Sequence, residues 1–415
     1  MKSPLNEPSG NALTKEDIFW SLSLFGTAVG AGILFLPITV GMGGFWPFVL
    51  MAALAFPMTF FSHRGLARFV FVGKGAVKDV TVVADESFGS RVGFLITFLY
   101  FIAIFSILLV YSVALTNTVS SIITDNLHLS AVPRTALAAA ITVFLMLLVN
   151  YGEEIIIRAI SFLVFPFVAA VFALSVYMIP NWSGGIFEAP APSFSHFLIS
   201  MLYIIPVMVF SFNHSPIISS MVLAQKRTCG NDAERHINRI LIVAHILIVS
   251  VVVFFVFSCL MTFTRDQLVD AKVSNATILT YMATVFQSPV LHNVAPIIAT
   301  IAITKSFLGH FMGTKEGLLG ILRRAPLAGG CSAKAMGRVA FLVIGACVWA
   351  AAVFNPSVLD LIDDLSGPIL AVILFLMPAY AVRAVPAMRK YAGPSTYFVA
   401  VIGLLALGAI VLQFH

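Results

Sequence analysis

Charge is what this chain has least of. Of its 415 residues only 10% are Asp, Glu, Lys or Arg while 60% are hydrophobic, and the mean hydropathy is +1.01; a soluble domain carries about 25% charged residues. A water-soluble globular domain is therefore excluded. Apolar stretches longer than about 18 residues recur from end to end, which also excludes a soluble domain hung on one anchor. Cysteine is scarce: Cys229, Cys259, Cys331 and Cys347 stand apart with no CxxC pair, so neither a disulfide framework nor a thiolate metal site is indicated. No HExxH, nucleophile elbow, Walker loop or paired carboxylate–histidine helix motif occurs, which argues against an enzyme, and nothing marks the repeated pore loop or filter ring of a channel. The formal net charge of +6 is not gathered into one basic patch, so no nucleic-acid partner is implied. The partner is the lipid bilayer; oligomeric state leaves no signal.

What is present is a succession of apolar runs. Span 1 is expected at about 17–41, span 2 at 44–62, span 3 at 91–123, span 4 at 134–150 and span 5 at 155–180. Span 6 follows at 198–224, span 7 at 239–263, span 8 at 291–318, span 9 at 337–355, span 10 at 357–382 and span 11 at 396–413. Residues 1–16 form a polar tail, and the run behind it lacks a small-residue cleavage site, so it is read as a retained helix. With the N-terminus inside, the cytoplasmic segments hold twenty basic residues and the external ones three, Arg134, Arg265 and Lys272. That asymmetry sets the orientation, N-terminus cytoplasmic and C-terminus external. Five spans in 17–180 and five in 198–382 mean that the second half enters from the opposite side, the arithmetic of an inverted repeat with span 11 left over. His63, Arg64, Glu153 and Glu154 are assigned to short cytoplasmic connections, with no chemistry.

Two spans carry interruptions at corresponding positions. Span 1 contains Gly26-Thr27-Ala28-Val29-Gly30-Ala31-Gly32, three glycines near mid-span in a run that ends at Pro37. Backbone freed in hydrocarbon must be satisfied by protein, water or ligand, so a break there lines a cavity. Helix-start N–H groups suit a carboxylate and helix-end carbonyls an ammonium, which together describe a zwitterion. Close packing through small residues is the simpler alternative. Span 6 supplies Phe210-Ser211-Phe212-Asn213-His214-Ser215-Pro216, in which Ser215 reads as an N-cap and Pro216 as the first residue of a restarted helix. A proline kink with Ser and Asn bonding to neighbours is the alternative there.

Ionisable groups inside spans are functional candidates. Lys305, flanked by Thr304 and Ser306, lies about fourteen residues from either end of span 8. A buried ammonium needs a partner or loses its proton. It can stand in for a coupling cation, change charge in a transport cycle, or rest on backbone carbonyls. His214 is a candidate titrating group. Asp360, Asp363 and Asp364 are expected on one face of span 10 near its outer end, as a proton-collecting mouth or a solvated rim.

The strings GTAVGAGILFLP, LAFPMTFFSHRGLARFV, VMVFSFNHSPIISS, AITKSFLGH and VPAMRKY extend this reading. On them, from Asp17 to the end, the chain resembles the hydroxy/aromatic amino acid permease family, on its bacterial serine permease branch, within the amino acid/polyamine/organocation superfamily. The resemblance implies an all-helical protein of the bacterial inner membrane with a five-plus-five inverted repeat and an eleventh helix. It implies uptake of a small hydroxy amino acid, serine first and threonine or an aromatic amino acid as alternatives, by proton rather than sodium symport and with no cofactor. It also implies a substrate site of Gly26, Thr27, Ala28, Gly30, Ala31, Gly32, Ser211, Asn213 and His214. Lys305, Thr304, Ser306 and Asp364 are the coupling candidates.

Overall fold

The computed structural model describes residues 13–73, 79–187, 193–286, 288–324 and 332–413, and all regular structure among them is helical. Helices α1 (Lys15–Ala28) and α2 (Ala31–Gly43) form one apolar span bent by 54°. Next come α3 (Phe45–Val72), α4 (Val80–Ser121), α5 (Arg134–Val149) and α6 (Glu153–Tyr177). Helices α7 (Phe194–Ser211) and α8 (Ile218–Cys229) flank the second interruption, and α9 (Ala233–Thr262) follows. Two short helices, α10 (Arg265–Val273) and α11 (Ile278–Val285), lead to α12 (Pro289–Leu322) and α13 (Ala333–Phe354). The stretch Val358–Ala384 alternates α14 (Val358–Leu361), α15 (Gly367–Ala371) and α16 (Met377–Ala384) with the π-helical turns Ile362–Ser366 and Val372–Leu376, and α17 (Pro394–Gln413) closes the chain. Seven helical stretches among the described residues are long and apolar enough to cross a membrane, or eight counting the bent pair; one of them, Phe194–Thr262, runs across α7, α8 and α9.

Local signals explain several boundaries. Thr14 and Asp17 form a capping box at the start of α1, each side chain accepting the other's backbone N–H at 3.1 and 3.0 Å. The same carboxylate meets His236 Nδ1 at 2.9 Å, tying the start of α1 to that of α9. Span 3 begins earlier than expected because α4 continues N-terminally through a kink at Gly89, whose φ of +77° only glycine adopts freely.

Span 2 does not end at residue 62. Helix α3 runs on to Val72, so His63 is a buried helical residue and not part of a connection. The charges that suggested a boundary are accommodated by rings: Arg64 lies 4.7 and 5.0 Å from the Phe60 and Phe61 centroids, and Arg68 lies 4.3 Å from that of Tyr391. Helix α12 is the axis of the bundle. It packs along α4 and also touches α1, α2, α6 and α13, and 72% of its most apolar window is buried, against 22% for α13.

Candidate functional site

The two interruptions touch. A Cβ on Gly32, at the start of α2, would lie 2.6 Å from Ser211 Cα at the end of α7 and 2.9 Å from the Phe210 ring, so only glycine lets the two backbones meet here. A Cβ on Gly30 would collide with Ser306. In this conformation the space beside both glycines is filled by protein, the close packing expected of small residues.

At the first break α1 stops at Ala28, leaving helix-end carbonyls without helical partners. Lys305 satisfies two of them: its Nζ donates to Gly26 O at 2.9 Å and to Val29 O, and lies 4.3 Å from the Phe167 centroid. Ser306 Oγ also donates to Gly26 O, at 3.1 Å. Lys305 is fully buried. Ala28 O accepts the Gly30 N–H at 3.0 Å, and the Thr27 hydroxyl is turned back onto Ser23 O. Helix α2 starts at Ala31 with no side chain capping its first N–H groups.

The second break differs from its expected form. Ser215 is not an N-cap; it is the first residue of a 3₁₀ turn, Ser215–Ile217, and its buried hydroxyl has no partner among the described residues. The reason is Asn213, whose Oδ1 accepts the Ser215 N–H at 3.1 Å and so supplies the cap from two residues upstream. Asn213 Nδ2 lies 3.1 Å from His310 Nε2 on α12, and His310 Nδ1 lies 2.9 Å from Ser306 O. Ser211 Oγ, fully buried where the breaks meet, has no hydrogen-bond partner among the described residues. The His214 ring is committed to α3, stacked on His63 at 3.7 Å.

The structure thus gathers Gly26, Gly30, Gly32, Ser211, Asn213, Lys305 and Ser306 at one place. Thr304 is half-buried beside Lys305. Asp364 is exposed, and its charged neighbours are Asp360 and Lys272 rather than Lys305. The three aspartates lie together around Lys272: Asp363 is half-buried and lines a cavity of about 250 Å³ with Thr39, Ser200, Tyr203 and Lys272, while Asp360 and Asp364 are exposed beside it. A larger cavity of about 1060 Å³ opens on the side where α1 begins, lined by Trp20, Ser219, Arg227, Lys315 and Glu316 among others. Sequence reasoning missed His310, Tyr111 and Phe167. His310 stands one helical turn beyond Ser306, a spacing that should have drawn notice. Tyr111, whose hydroxyl lies 3.4 Å from the position of a Gly30 Cβ, gave no signal in an apolar run.

A model of the tryptophan/tyrosine permease family matches residues 14–413. The chain belongs to that family. The permease is 49% identical over 413 residues to the serine transporter SdaC of Escherichia coli K12, covering 98% of this chain and 96% of that protein. It is 40% identical over 423 residues to the threonine/serine transporter TdcC of Edwardsiella piscicida, covering 96% of each. Among solved structures, MhsT in complex with L-phenylalanine superposes with a TM-score of 0.62 over 98% of this chain and 99% of that one, at 16% identity, a likeness of fold alone. The permease is a multi-pass membrane transporter and not an enzyme, on the strength of its family and of these full-length relatives. The resemblance drawn from its own sequence strings holds.

Proposed function

We propose that this permease imports L-serine across a bacterial inner membrane by proton symport, binding it where the two breaks meet. The observation that carries the coupling half is the Lys305 ammonium on the Gly26 and Val29 carbonyls. In broken-helix transporters such unwound carbonyls are where a coupling cation sits. A lysine already there leaves no room for sodium and makes the proton on Nζ the coupling ion. For the substrate, the uncapped N–H groups at Ala31 and Gly32 face the carboxylate, and the carbonyl ends of α1 and α7 favour the ammonium. Ser211 Oγ, buried and unpaired, hydrogen-bonds the substrate hydroxyl. The 49% identity to a serine transporter along nearly the whole chain supports serine as cargo. Threonine is the second candidate, on the strength of the threonine/serine relative.

The architecture proposed with this function is eleven spans in two inverted halves, 17–180 and 198–382, with the N-terminus cytoplasmic and the C-terminus external. The wide cavity beside α1 then faces the cytoplasm. The test is counterflow in proteoliposomes against a panel of unlabelled amino acids, with pH and sodium gradients imposed separately. Serine is expected to compete best and a pH gradient alone to drive accumulation. Stronger displacement by tryptophan or tyrosine, or strict sodium dependence, would overturn the corresponding half.

A further inference from the structure

Three buried histidines gather beside the second break: His63 on α3, His214 in the break and His245 on α9. One ring nitrogen of each lies within 4.8 Å of those of the other two. The transport reading uses neither His63 nor His245. Hydrogen bonds fix which nitrogen is free in each ring. Nδ1 of His63 lies 2.8 Å from Thr59 O, that of His214 3.0 Å from Phe212 O, and that of His245 2.6 Å from Leu241 O. A carbonyl only accepts, so each Nδ1 carries the hydrogen and each Nε2 a lone pair. His63 Nε2 accepts the His214 backbone N–H at 3.3 Å, while Nε2 of His214 and of His245 are buried with no donor. Buried polar atoms are ordinarily paired, so two lone pairs left open in one pocket mark a place that can take up a hydrogen-bond donor or a proton.

The geometry points away from a metal ion. The His63 and His214 rings stack face to face, 3.7 Å apart and within 10° of parallel. A ligating lone pair lies in the plane of its ring, and two such planes do not meet at one ion about 2.0–2.1 Å from both nitrogens. A proton needs no such convergence: placed on one Nε2 it requires a single acceptor, and a cationic ring is attracted to a neutral π face.

We propose that His63, His214 and His245 form a proton-binding site that holds one proton among the three rings, apart from Lys305 and linked to the shape of the second break. The charged and titratable neighbours limit it to one. The rings act on one another and on His310 from α12, and no carboxylate is among the groups acting on them. Arg64 is held over Phe60 and Phe61, Lys226 on α8 binds the Phe71 and Gly73 carbonyls, and Glu234 on α9 pairs with Lys390. With no counter-ion, a second proton would be repelled by the first.

A proton on His63 Nε2 removes the acceptor of the His214 N–H, and Asn213 stands ready to accept from the protonated ring. Asn213 also caps the 3₁₀ turn and meets His310, which continues through Ser306 and Gly26 O to Lys305. Carbonyl oxygens along that chain accept hydrogens but do not pass them on. The chain therefore transmits geometry, and the cluster is a second proton store rather than a relay to Lys305.

The test uses full-length protein, ¹⁵N-labelled at histidine, in lipid nanodiscs after metal analysis, followed by NMR over about pH 5 to 8, where imidazoles titrate. The three rings are expected to titrate together and to take up one proton in total, and His63→Gln or His245→Gln to abolish the shared titration seen at His214. Independent titration of the three, no titration of any, or a transition metal retained on the rings would overturn the proposal, and the unmodified protein alone distinguishes these. A second arm rests on the transport reading: serine counterflow by Lys305→Met should keep a pH dependence, approaching tenfold per unit for one linked proton, that Lys305→Met/His245→Gln lacks. Identical profiles would count against the site. Absence of counterflow by the unmodified protein would count against the transport reading only, leaving the NMR result to decide.

Discussion

The two breaks solve one problem in opposite ways. At the first, the freed carbonyls are already paired, with the Lys305 ammonium and the Ser306 hydroxyl on Gly26 O and Val29 O. At the second, Asn213 caps one N–H, but the hydroxyls of Ser211 and Ser215 and Nε2 of His214 are buried without partners. Unpaired buried polar groups cost about 1–3 kcal/mol each, so the carbonyl side of the first break is complete in itself, while its uncapped N–H groups at Ala31 and Gly32 and the side chains of the second break are left to be completed. On the proposed function, that difference separates a coupling position, occupied by a side chain, from the recognition groups, met by something that arrives.

The harshest way to break this comparison is to force the two apart. Gly32→Leu places a side chain where α2 meets Ser211 and Phe210, and overpacking of that kind costs about 1–3 kcal/mol or more. Uptake should be abolished and thermal stability in detergent reduced, while Gly337→Leu, with open space beside Gly337, should leave both nearly unchanged. Emptying the first break comes next. Lys305→Met strips a charged donor from two buried carbonyls, a loss of roughly 2–3 kcal/mol, and should end accumulation on a pH gradient while some exchange survives. A Lys305→Met carrier that still concentrates serine would show that the first break has no coupling role.

Ser211→Ala sharpens the contrast at the second break. Because Ser211 Oγ has no partner among the described residues, the alanine should stabilise the fold by about 1–3 kcal/mol, whereas serine affinity should fall about tenfold, the worth of one hydrogen bond. Alanine affinity should be unmoved. Equal loss for both amino acids would deny the hydroxyl contact. The smallest effect is expected from Ser306→Ala, which removes one of the donors to Gly26 O and should cost about 1 kcal/mol in stability with accumulation retained.

Much of this was legible in the sequence because lipid enforces simple rules. The GTAVGAG and SFNHSP interruptions announced themselves as polar or glycine-rich backbone where hydrocarbon tolerates none. Burial of Lys305 followed from its depth alone. What escaped was whatever depends on how one helix faces another. His63 was taken for a connection because Arg64 and Arg68 normally mark a membrane edge, and nothing in one sequence tells that Phe60, Phe61 and Tyr391 lie in position to carry them. Ser215 was taken for a cap because Ser-Pro is a strong local signal, yet the helical turn already includes Ser215, whose N–H Asn213 accepts. The π turns at Ile362–Ser366 and Val372–Leu376 were not foreseen, because they leave no periodic trace. Helices α10 and α11 were passed over although Thr264 and Gln267 spell a capping box.

Bare backbone against bare backbone is a stiff joint. Where α2 abuts Ser211 only the Phe210 ring shares the contact, so little can rotate or compress to absorb a displacement of α2 against α7. A molecule wedged beside that joint, even one only a few ångströms across, must tilt α2 against α7 by nearly its own thickness. Each helix is a lever about 20 Å long or more, so a small tilt at this fulcrum becomes a wider opening at its far end.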